Sequence, residues 1–234
     1  NQRQAFRFRP ALAVNLHGGS RGVALTLASM ARWRAGYAHL PCQWAYNIAV
    51  PRAQEILGEE RVVHTAEHAA SVMFYLGVPK SAVPRARLYA GKPPEGSYAV
   101  IHPFASAAPK AWPAERFAEL ARRIEDEQGL RVAVVGGRED DFSPFERFET
   151  LRGAPLGEVK SLLSGARVFV GNDSGPAHMA AAFGVPVVVL YGASDPLIWA
   201  PWRTLAEVIH RPEGLSALGV EEALSAARRL LEEA

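Results

Sequence analysis

The 234-residue sequence has little cysteine, no large excess of either charge and no long apolar run. Its single cysteine, Cys42, excludes an internal disulfide and is typical of a reducing compartment. Lysine and arginine number 26 against 24 acidic residues, so the net charge is only +2 and no nucleic-acid partner is indicated. No uncharged apolar stretch approaches the ~18 residues of a membrane-spanning helix. We therefore expect a cytoplasmic protein whose contact with a membrane, if it has one, is peripheral.

Three sequence signatures are also missing. The absence of a Gly-x-x-x-x-Gly-Lys-Ser/Thr loop disfavours a P-loop ATPase, and no Gly-x-Gly-x-x-Gly follows a strand as it would in a dinucleotide enzyme. There is no Asp-x-Asp sequence either, so we expect no metal. No cofactor is indicated. A transferase with this sequence would therefore be metal-independent.

Hydrophobic residues make up 49% of the chain, which is enough for sizeable cores. In the second half, short apolar runs bounded by Gly or Pro alternate with amphipathic stretches, a pattern typical of a parallel sheet covered on both faces. The predicted strands are 98–102, 131–135, 168–171 and 187–191. The predicted helices between them are 114–128, 158–163 and 176–183. This half is predicted to be a doubly wound α/β domain.

The first half opens in the same way, with an apolar run at 11–16, a glycine-rich turn and a helical stretch at 23–33. A second α/β unit is therefore expected there. Segment 88–96 has the Gly and Pro content of a linker. We place the boundary in it, with domains at 1–93 and 94–234. The apolar stripe of 220–233 predicts a final helix, which we expect to cross back onto the first domain.

The strongest motif is Gly-Asn-Asp-Ser-Gly-Pro-Ala-His at 171–178, where a buried strand ends and a helix begins. Ligands bind at such strand ends, and a helix N-terminus attracts a pyrophosphate. Gly175 allows close backbone approach, Pro176 suits the first helical turn, and His178 lies within that turn. The alternative is that Asp173 or Ser174 only caps the helix, with His178 structural.

Two further motifs follow predicted strands. In the loop of 101–113, the Ser106 hydroxyl and the Lys110 ammonium would suit a departing diphosphate, although most lysines are simply solvated. In 135–141, the carboxylate of Glu139 or Asp140 would accept bonds from ribose hydroxyls, or would cap a turn. Three strand ends thus carry groups that suit a nucleotide.

These motifs, in this order, resemble glycosyltransferase family nine, the heptosyltransferases. The resemblance rests on His-Pro-x-x-Ser-x-x-x-Lys-x-Trp-Pro at 102–113, Gly-Gly at 136–137, Asn-Asp-Ser-Gly-Pro-x-His at 172–178 and Tyr-Gly-x-Ser-Asp-Pro at 191–196. It covers most of the second domain and, more loosely, the first domain from residue 11. It implies a GT-B fold, in which two Rossmann-like doubly wound domains face a cleft.

The resemblance also implies an inverting transfer of a sugar from a nucleoside diphosphate donor, usually ADP-heptose, to a lipopolysaccharide core. It implies peripheral contact with the inner membrane. The roles that it assigns cover both domains. Ser106 and Lys110 would bind the phosphates, and Glu139 or Asp140 would bind the ribose. The diphosphate and sugar would be bound by Asp173, Ser174, Gly175, Pro176 and His178, of which His178 would act in catalysis together with Lys110. The acceptor loop would include His17, Gly18, Ser20 and Arg21.

One feature departs from the family. Family members begin with a strand and a glycine-rich turn that carries the aspartate base, whereas residues 1–9 contain no carboxylate and the sequence has no initiator methionine. We therefore expect an incomplete N-terminal domain in which the first strand and turn are missing. If the base is elsewhere, His17 and Glu67 are the first candidates.

Two other functions fit parts of the sequence. Gly-Gly-Ser-Arg-Gly at 18–22 fits the nucleophile elbow of a serine hydrolase, with Ser20 as nucleophile and His17 near an oxyanion site. That interpretation gives no role to Lys110 or His178. A non-catalytic sugar-nucleotide binder, which keeps the second domain's site without the base, is the other alternative.

Overall fold

The computed structural model describes residues 10–105 and 111–234. The chain divides into two compact units between Val83 and Pro84, upstream of the predicted boundary at 93–94. The reason is that the extended segment after Val83 packs on the second unit. The Trp202 indole Nε1 donates a hydrogen bond to the Pro84 carbonyl at 3.2 Å, and a Cβ at Gly165 would lie 2.5 Å from Pro93.

The first unit has a three-stranded parallel sheet in the order β1-β2-β3. Its strands are β1 (Leu12–Asn15), β2 (Trp33–Tyr37) and β3 (Ile48–Val50). Its helices are α1 (Ser20–Ala28), α2 (Ala53–Leu57) and α3 (Thr65–Tyr75), and a short 3-10 helix spans Gln43–Ala45. Tyr37, Val50 and Val72 form a small core between the sheet and α3.

Helix α1 is shorter than the predicted helix of 23–33. It ends at Ala28, and the Ser29 hydroxyl donates to the Thr26 carbonyl at 2.6 Å. Met30 then adopts a φ of 50°, a left-handed conformation in which an α-helix cannot continue. The end of the predicted helix is instead the start of β2 at Trp33.

The second unit has a six-stranded parallel sheet in the order β6-β5-β4-β7-β8-β9. This is the strand order of doubly wound dinucleotide-binding domains. In these domains the first three strands are added towards one edge of the sheet and the next three towards the other, so the order reverses between the first and fourth strands, here β4 and β7. The predicted α/β class is therefore confirmed. The strands are β4 (Tyr98–His102), β5 (Arg131–Gly136), β6 (Glu149–Arg152), β7 (Val168–Asn172), β8 (Val187–Tyr191) and β9 (Ala206–His210).

Helices cover both faces of this sheet. They are α4 (Ala114–Gln128), α5 (Leu156–Ser164), α6 (Gly175–Phe183), α7 (Pro196–Trp199) and α8 (Val220–Glu233), with 3-10 helices at Ser143–Phe145 and Leu215–Ala217. On one face, α4 and α8 bury Phe117 and Leu224 in a core with Ile101. On the other face, α5 and α6 bury Leu163 and Ala177.

The final helix differs from its predicted course. Instead of leaving for the first unit, α8 packs its apolar stripe into the core of the second, where Ala223, Leu224 and Ala227 are fully buried. An ion pair also joins α8 to this unit, between Arg123 of α4 and Glu221 at 2.6 Å. The amphipathic pattern predicted the helix but not the surface on which it packs.

None of the helices within residues 10–105 and 111–234 is both long enough and apolar enough to span a bilayer.

Replacing Leu224 by alanine tests whether α8 is part of the second core. Because Leu224 is fully buried, Leu224→Ala should lower the free energy of unfolding by ~2–5 kcal/mol, measured by urea denaturation followed by far-UV circular dichroism. Leu197→Ala is the matched control, since that side chain is 67% exposed and should change little. Equal effects of the two substitutions would contradict the packing.

Candidate functional site

A cleft of about 360 Å³ lies at the carboxyl ends of three strands of the second unit. It is located where β4 and β7 lie side by side although they are far apart in sequence, which is where ligands bind in open α/β sheets. Its walls are His102 at the end of β4, Phe104 and Ala105 after it, Asp140 after β5, and Asp173, Ser174, Gly175 and Pro176 after β7.

Asn172 ties the two sides of this cleft together. Its side chain is fully buried at the end of β7. The Nδ2 group donates to the Pro103 carbonyl at 2.7 Å, and Oδ1 accepts from the Trp112 backbone N–H at 3.1 Å. Both ends of the β4–α4 loop are thereby fixed to β7. The motif of 171–178 includes Asn172, but the sequence alone predicts no role for it, because its partners are distant in the chain.

The N-terminus of α6 opens into the cleft. Ser174 is its N-cap residue in extended conformation, yet its side chain makes no cap hydrogen bond. The buried Ser174 Oγ has no hydrogen-bond partner among the described residues. A Cβ added at Gly175 would meet nothing within 4 Å, so the space above this backbone is open. Ser174 therefore does not cap α6 through its side chain.

Asp173 lines the cleft, and His178 lies close to it but is not part of the cleft wall. His178 Nε2 is 3.9 Å from Asp173 Oδ1, and the histidine side chain is 38% exposed. The Asp173 backbone N–H donates to the Leu190 carbonyl at 3.1 Å, which fixes the Asp173 backbone beside β8. Burial and, after it, the Asp173 charge raise the pKa of the Tyr191 phenol, which stays protonated and donates to the Trp199 carbonyl at 2.7 Å.

Of the two acidic residues proposed for a ribose, only Asp140 lines the cleft. Its Oδ2 accepts from the Gly137 backbone N–H at 2.6 Å, so part of the carboxylate's capacity holds the turn after β5. Glu139 is exposed and lies outside the cleft wall. The turn itself is closely packed, because a Cβ at Gly136 would lie 2.3 Å from the Phe104 ring.

His102 is a cleft residue that the sequence did not single out. Its Nδ1 lies 2.8 Å from the Val135 carbonyl, which can only accept, so this nitrogen carries the proton. Burial lowers the pKa of His102, although the bond to Val135 and the charge of Asp140 oppose the shift. The ring is therefore held neutral, with Nε2 left as an acceptor. Its position at the end of a buried strand could have identified it.

Ser106 and Lys110 lie outside the described residues. The segment that contains them is flanked by Ala105, which lines the cleft, and by Trp112, whose backbone Asn172 binds. Their roles remain predictions from the resemblance.

The predicted acceptor loop lies in the first unit, between β1 and α1. The Asn15 carboxamide organises it, since Oδ1 accepts from the His17 N–H at 3.0 Å and Nδ2 donates to the Tyr46 hydroxyl at 2.6 Å. Gly18 needs its φ of 60, and a side chain there would also collide with Leu40. His17, Ser20 and Arg21 are exposed and stay predicted acceptor residues.

The same loop lacks the geometry of a hydrolase. A nucleophile elbow holds its serine in a strained turn, whereas Ser20 is the first residue of α1. Among the described residues, the non-glycine positions with positive φ are Met30, Cys42 and Arg203. Ser20 therefore does not occupy an elbow.

Glu67 is poorly suited to act as a base. Its carboxylate forms two hydrogen bonds with the Arg61 guanidinium, at 2.7 and 2.9 Å. These hydrogen bonds are the largest of several causes that hold the pKa of Glu67 below its usual value. Within the described part of the chain, no three His, Cys, Asp or Glu side chains are grouped as they would be around a metal ion.

The strand order and the position of the cleft define the second unit as a Rossmann-like domain of the nucleotide-binding class. Residues 34–222 match the sequence profile of glycosyltransferase family 9 (heptosyltransferase). The chain belongs to this family.

Individual relatives agree with the family assignment. The chain is 28% identical over 163 residues to lipopolysaccharide heptosyltransferase 3 of Escherichia coli K12, covering 58% of this chain and 47% of that protein. It thus spans about half the length of the curated relatives it matches.

Solved structures agree on the fold. The crystal structure of a family 9 glycosyltransferase from Veillonella parvula matches with a TM-score of 0.83 at 21% identity, covering 100% of this chain and 78% of that one. The E. coli heptosyltransferase WaaC with ADP-2-deoxy-2-fluoro heptose matches with a TM-score of 0.66 at 21% identity, covering 99% and 75%. The predicted GT-B class is therefore confirmed.

Removing the Asn172 carboxamide should destabilise the second unit. Asn172→Ala leaves the Trp112 N–H and the Pro103 carbonyl buried without their partner, so we expect a loss of ~1–3 kcal/mol in the free energy of unfolding. Asn47→Ala is a matched control. Asn47 also bonds two backbone groups, of Arg34 and Arg32, but it is exposed, and water can replace it. Similar losses in urea denaturation would contradict the burial argument.

The lowered pKa of His102 predicts a pH dependence of stability. Below about pH 6.5, His102 binds a proton in the unfolded chain but stays neutral in the folded protein. This residue therefore does not reduce the free energy of unfolding above that pH, and it lowers the free energy of unfolding as the pH falls towards the folded pKa. The His102→Gln variant should not show this part of the fall in stability at acidic pH. Urea denaturation at neutral and acidic pH measures it, and identical pH profiles of the two proteins would refute it.

Proposed function

We propose that this protein binds an ADP-sugar in the cleft of the second unit and transfers its sugar, a heptose, to a lipopolysaccharide core. The transfer inverts the anomeric centre and uses no metal. The observation that carries the proposal is the buried Ser174 hydroxyl without a partner, at the N-terminus of α6, beside open space above Gly175.

The chemistry of these groups favours a diphosphate. The helix dipole and free backbone N–H groups attract an anion, and the Ser174 hydroxyl adds a donor at the same place. The Asp140 carboxylate, which follows β5 on the other side of β4, is a suitable acceptor for ribose hydroxyls. Phosphate and ribose would then bind on opposite walls of one cleft.

Catalysis by this route needs positive charge on the leaving diphosphate. We assign that role to Lys110, from the resemblance, with Ser106 as a further donor. His178, whose Nε2 lies 3.9 Å from the Asp173 carboxylate, is proposed to act beside Lys110. Such charge stabilisation replaces a metal ion in the departure of the diphosphate.

The identities of the two substrates come from relatives. Family membership and the similarity to lipopolysaccharide heptosyltransferase 3 of E. coli support a heptose and a lipopolysaccharide acceptor. The solved structure of E. coli WaaC with ADP-2-deoxy-2-fluoro heptose supports an ADP-linked donor. Exposed His17, Ser20 and Arg21 in the first unit are proposed to contact the acceptor, and a peripheral position at the inner membrane would bring the acceptor within reach.

Lys110→Ala tests the proposal directly. Loss of a charge-assisted bond of ~1.5–3 kcal/mol should weaken ADP binding about tenfold or more in calorimetry, and heptose transfer from ADP-heptose to a heptose-deficient lipopolysaccharide should fall at least as much. Lys92→Ala is the control, because that lysine is 80% exposed and pairs with Glu95.

Two results would count against the proposal. Unchanged ADP affinity in Lys110→Ala would remove Lys110 from the site. Tight ADP binding without any heptose transfer by the unaltered protein would favour a sugar-nucleotide binder over a transferase.

A further inference from the structure

Segment 85–91, which belongs to the second unit, has no backbone partners. It lies within 78–94, a stretch without helix, strand, turn or bend, so the chain runs extended through it. In the part of the chain that the structure describes, no backbone N–H or C=O group of 85–91 takes part in a hydrogen bond. The segment contains no proline and is exposed except at Leu88, which is half-buried. Extended backbone with free donors and acceptors is a template on which another chain can pair as a strand.

The same segment borders a basic groove of about 510 Å³. Arg85, Arg87 and Tyr89, at alternate positions, line the groove from the segment, and Phe183 and Arg203 line it from the rest of the unit. Because Phe183 ends α6 and Arg203 precedes β9, the groove lies at the amino ends of the strands. It shares no residue with the nucleotide cleft at their carboxyl ends.

The groove concentrates positive charge that the protein does not neutralise. Among the described residues, none of Arg85, Arg87 and Arg203 forms an ion pair, and no acidic residue lines the groove. The sequence itself has no Asp or Glu at 68–94. Three unpaired guanidinium groups around one groove attract a ligand that carries negative charge.

The fold holds these groups in place. The Arg85 guanidinium lies over Gly184, where an added Cβ would come within 2.6 Å of its terminal nitrogen. Arg203 adopts a φ of 54°, which is uncommon for a side chain of this size, and its guanidinium stacks over Trp202 at 5.6 Å. The Trp202 indole in turn donates to the Pro84 carbonyl, directly before the segment. The free backbone and the arginines are thus kept side by side.

We propose that segment 85–91 and the basic groove bind an acidic peptide segment of a partner protein, which pairs with the backbone of 85–91 as an added strand. Main-chain hydrogen bonds give affinity in this mode of recognition, and side chains along the strand give specificity. Planar guanidinium groups bind carboxylates in a bidentate way, so Arg85 and Arg87 select glutamate or aspartate. A phosphate or a nucleotide would use the arginines but not the free backbone. The inference concerns a surface apart from the nucleotide cleft and does not depend on the proposed function.

A designed peptide tests this binding mode. The probe is the fluorescein-labelled peptide Thr-Glu-Thr-Glu-Thr-Glu-Thr, whose acidic residues alternate as the arginines do, and binding is followed by fluorescence anisotropy at constant ionic strength. The unaltered protein should bind it saturably and should not bind the peptide with glutamine at each glutamate. A fully N-methylated form keeps every charge but cannot pair as a strand. It should bind at least tenfold more weakly, because several hydrogen bonds are lost.

Hydrogen exchange locates the bound peptide. The amides of 85–91 have no partners in the free protein, so their exchange should slow at least tenfold with saturating peptide, and it should not slow with the N-methylated form.

Arginine variants test the charge. An exposed ion pair contributes roughly three- to fivefold, so Arg85→Gln/Arg87→Gln should weaken peptide binding by about tenfold or more. Arg122→Gln/Lys160→Gln is the matched control, since it removes the same charge from helices α4 and α5, outside the groove, and should change the affinity less than twofold. Melting temperatures of both variants should stay close to that of the unaltered protein, so that a loss of binding is not a loss of fold.

Four results would overturn the proposal. The first is no saturable binding of the acidic peptide. The second is equal binding of the N-methylated peptide, and the third is an equal loss in the groove and control variants, both of which would mean diffuse charge attraction. The fourth is an oligothymidylate of the same net charge that binds at least as tightly as the peptide, which would identify a nucleic-acid surface.

Discussion

The candidate site depends on one buried carboxamide. Asn172 sits where the sheet reverses its winding, and it bonds the backbone of both Pro103 and Trp112. Parallel strands cannot be connected by tight hairpins, so β4 and β7, although neighbours in the sheet, are joined through the intervening strands and helices. Beyond the carboxyl ends of β4 and β7, the loops that leave the two strands are no longer joined by the backbone hydrogen bonds of the sheet. The Asn172 side chain supplies that missing connection, and it fixes the distance between the loop after β4 and the N-terminus of α6.

The two cores follow from the same winding. With β4 and β7 buried at the centre of the sheet, α4 and α8 cover one face and α5 and α6 the other. Burial on both faces keeps the strand ends rigid, so a polar group that lies there is held without its own hydrogen bonds. The unpartnered Ser174 hydroxyl is placed in this way, whereas His102 is also held by its bond to the Val135 carbonyl. A polar cleft can therefore lie beside an apolar core that supports it.

The sequence predicts those parts of the fold that are buried on both faces. Strands β4 and β8 begin and end where their apolar runs do, because each residue of such a strand meets a core. Strand β6, Glu149–Arg152, was not predicted, since it lies at the sheet edge with mostly exposed residues. Motif spacing located Asp173 and Ser174, which are adjacent in the chain. It could not reveal the bonds of Asn172, whose partners are 60 and 69 residues away.

Charge is distributed differently over the two edges of the second sheet. At the carboxyl edge, Asp140 and Asp173 surround a helix N-terminus, so the site offers both acceptors and donors to one ligand. At the amino edge, a groove is lined by Arg85, Arg87 and Arg203 and by no acidic residue. A mixed site can discriminate among small molecules, because an unpaired group inside it is costly. A surface of one sign and open to solvent instead attracts any extended anion, and its strength varies with salt. The two edges therefore suit different kinds of ligand, and a central sheet separates them.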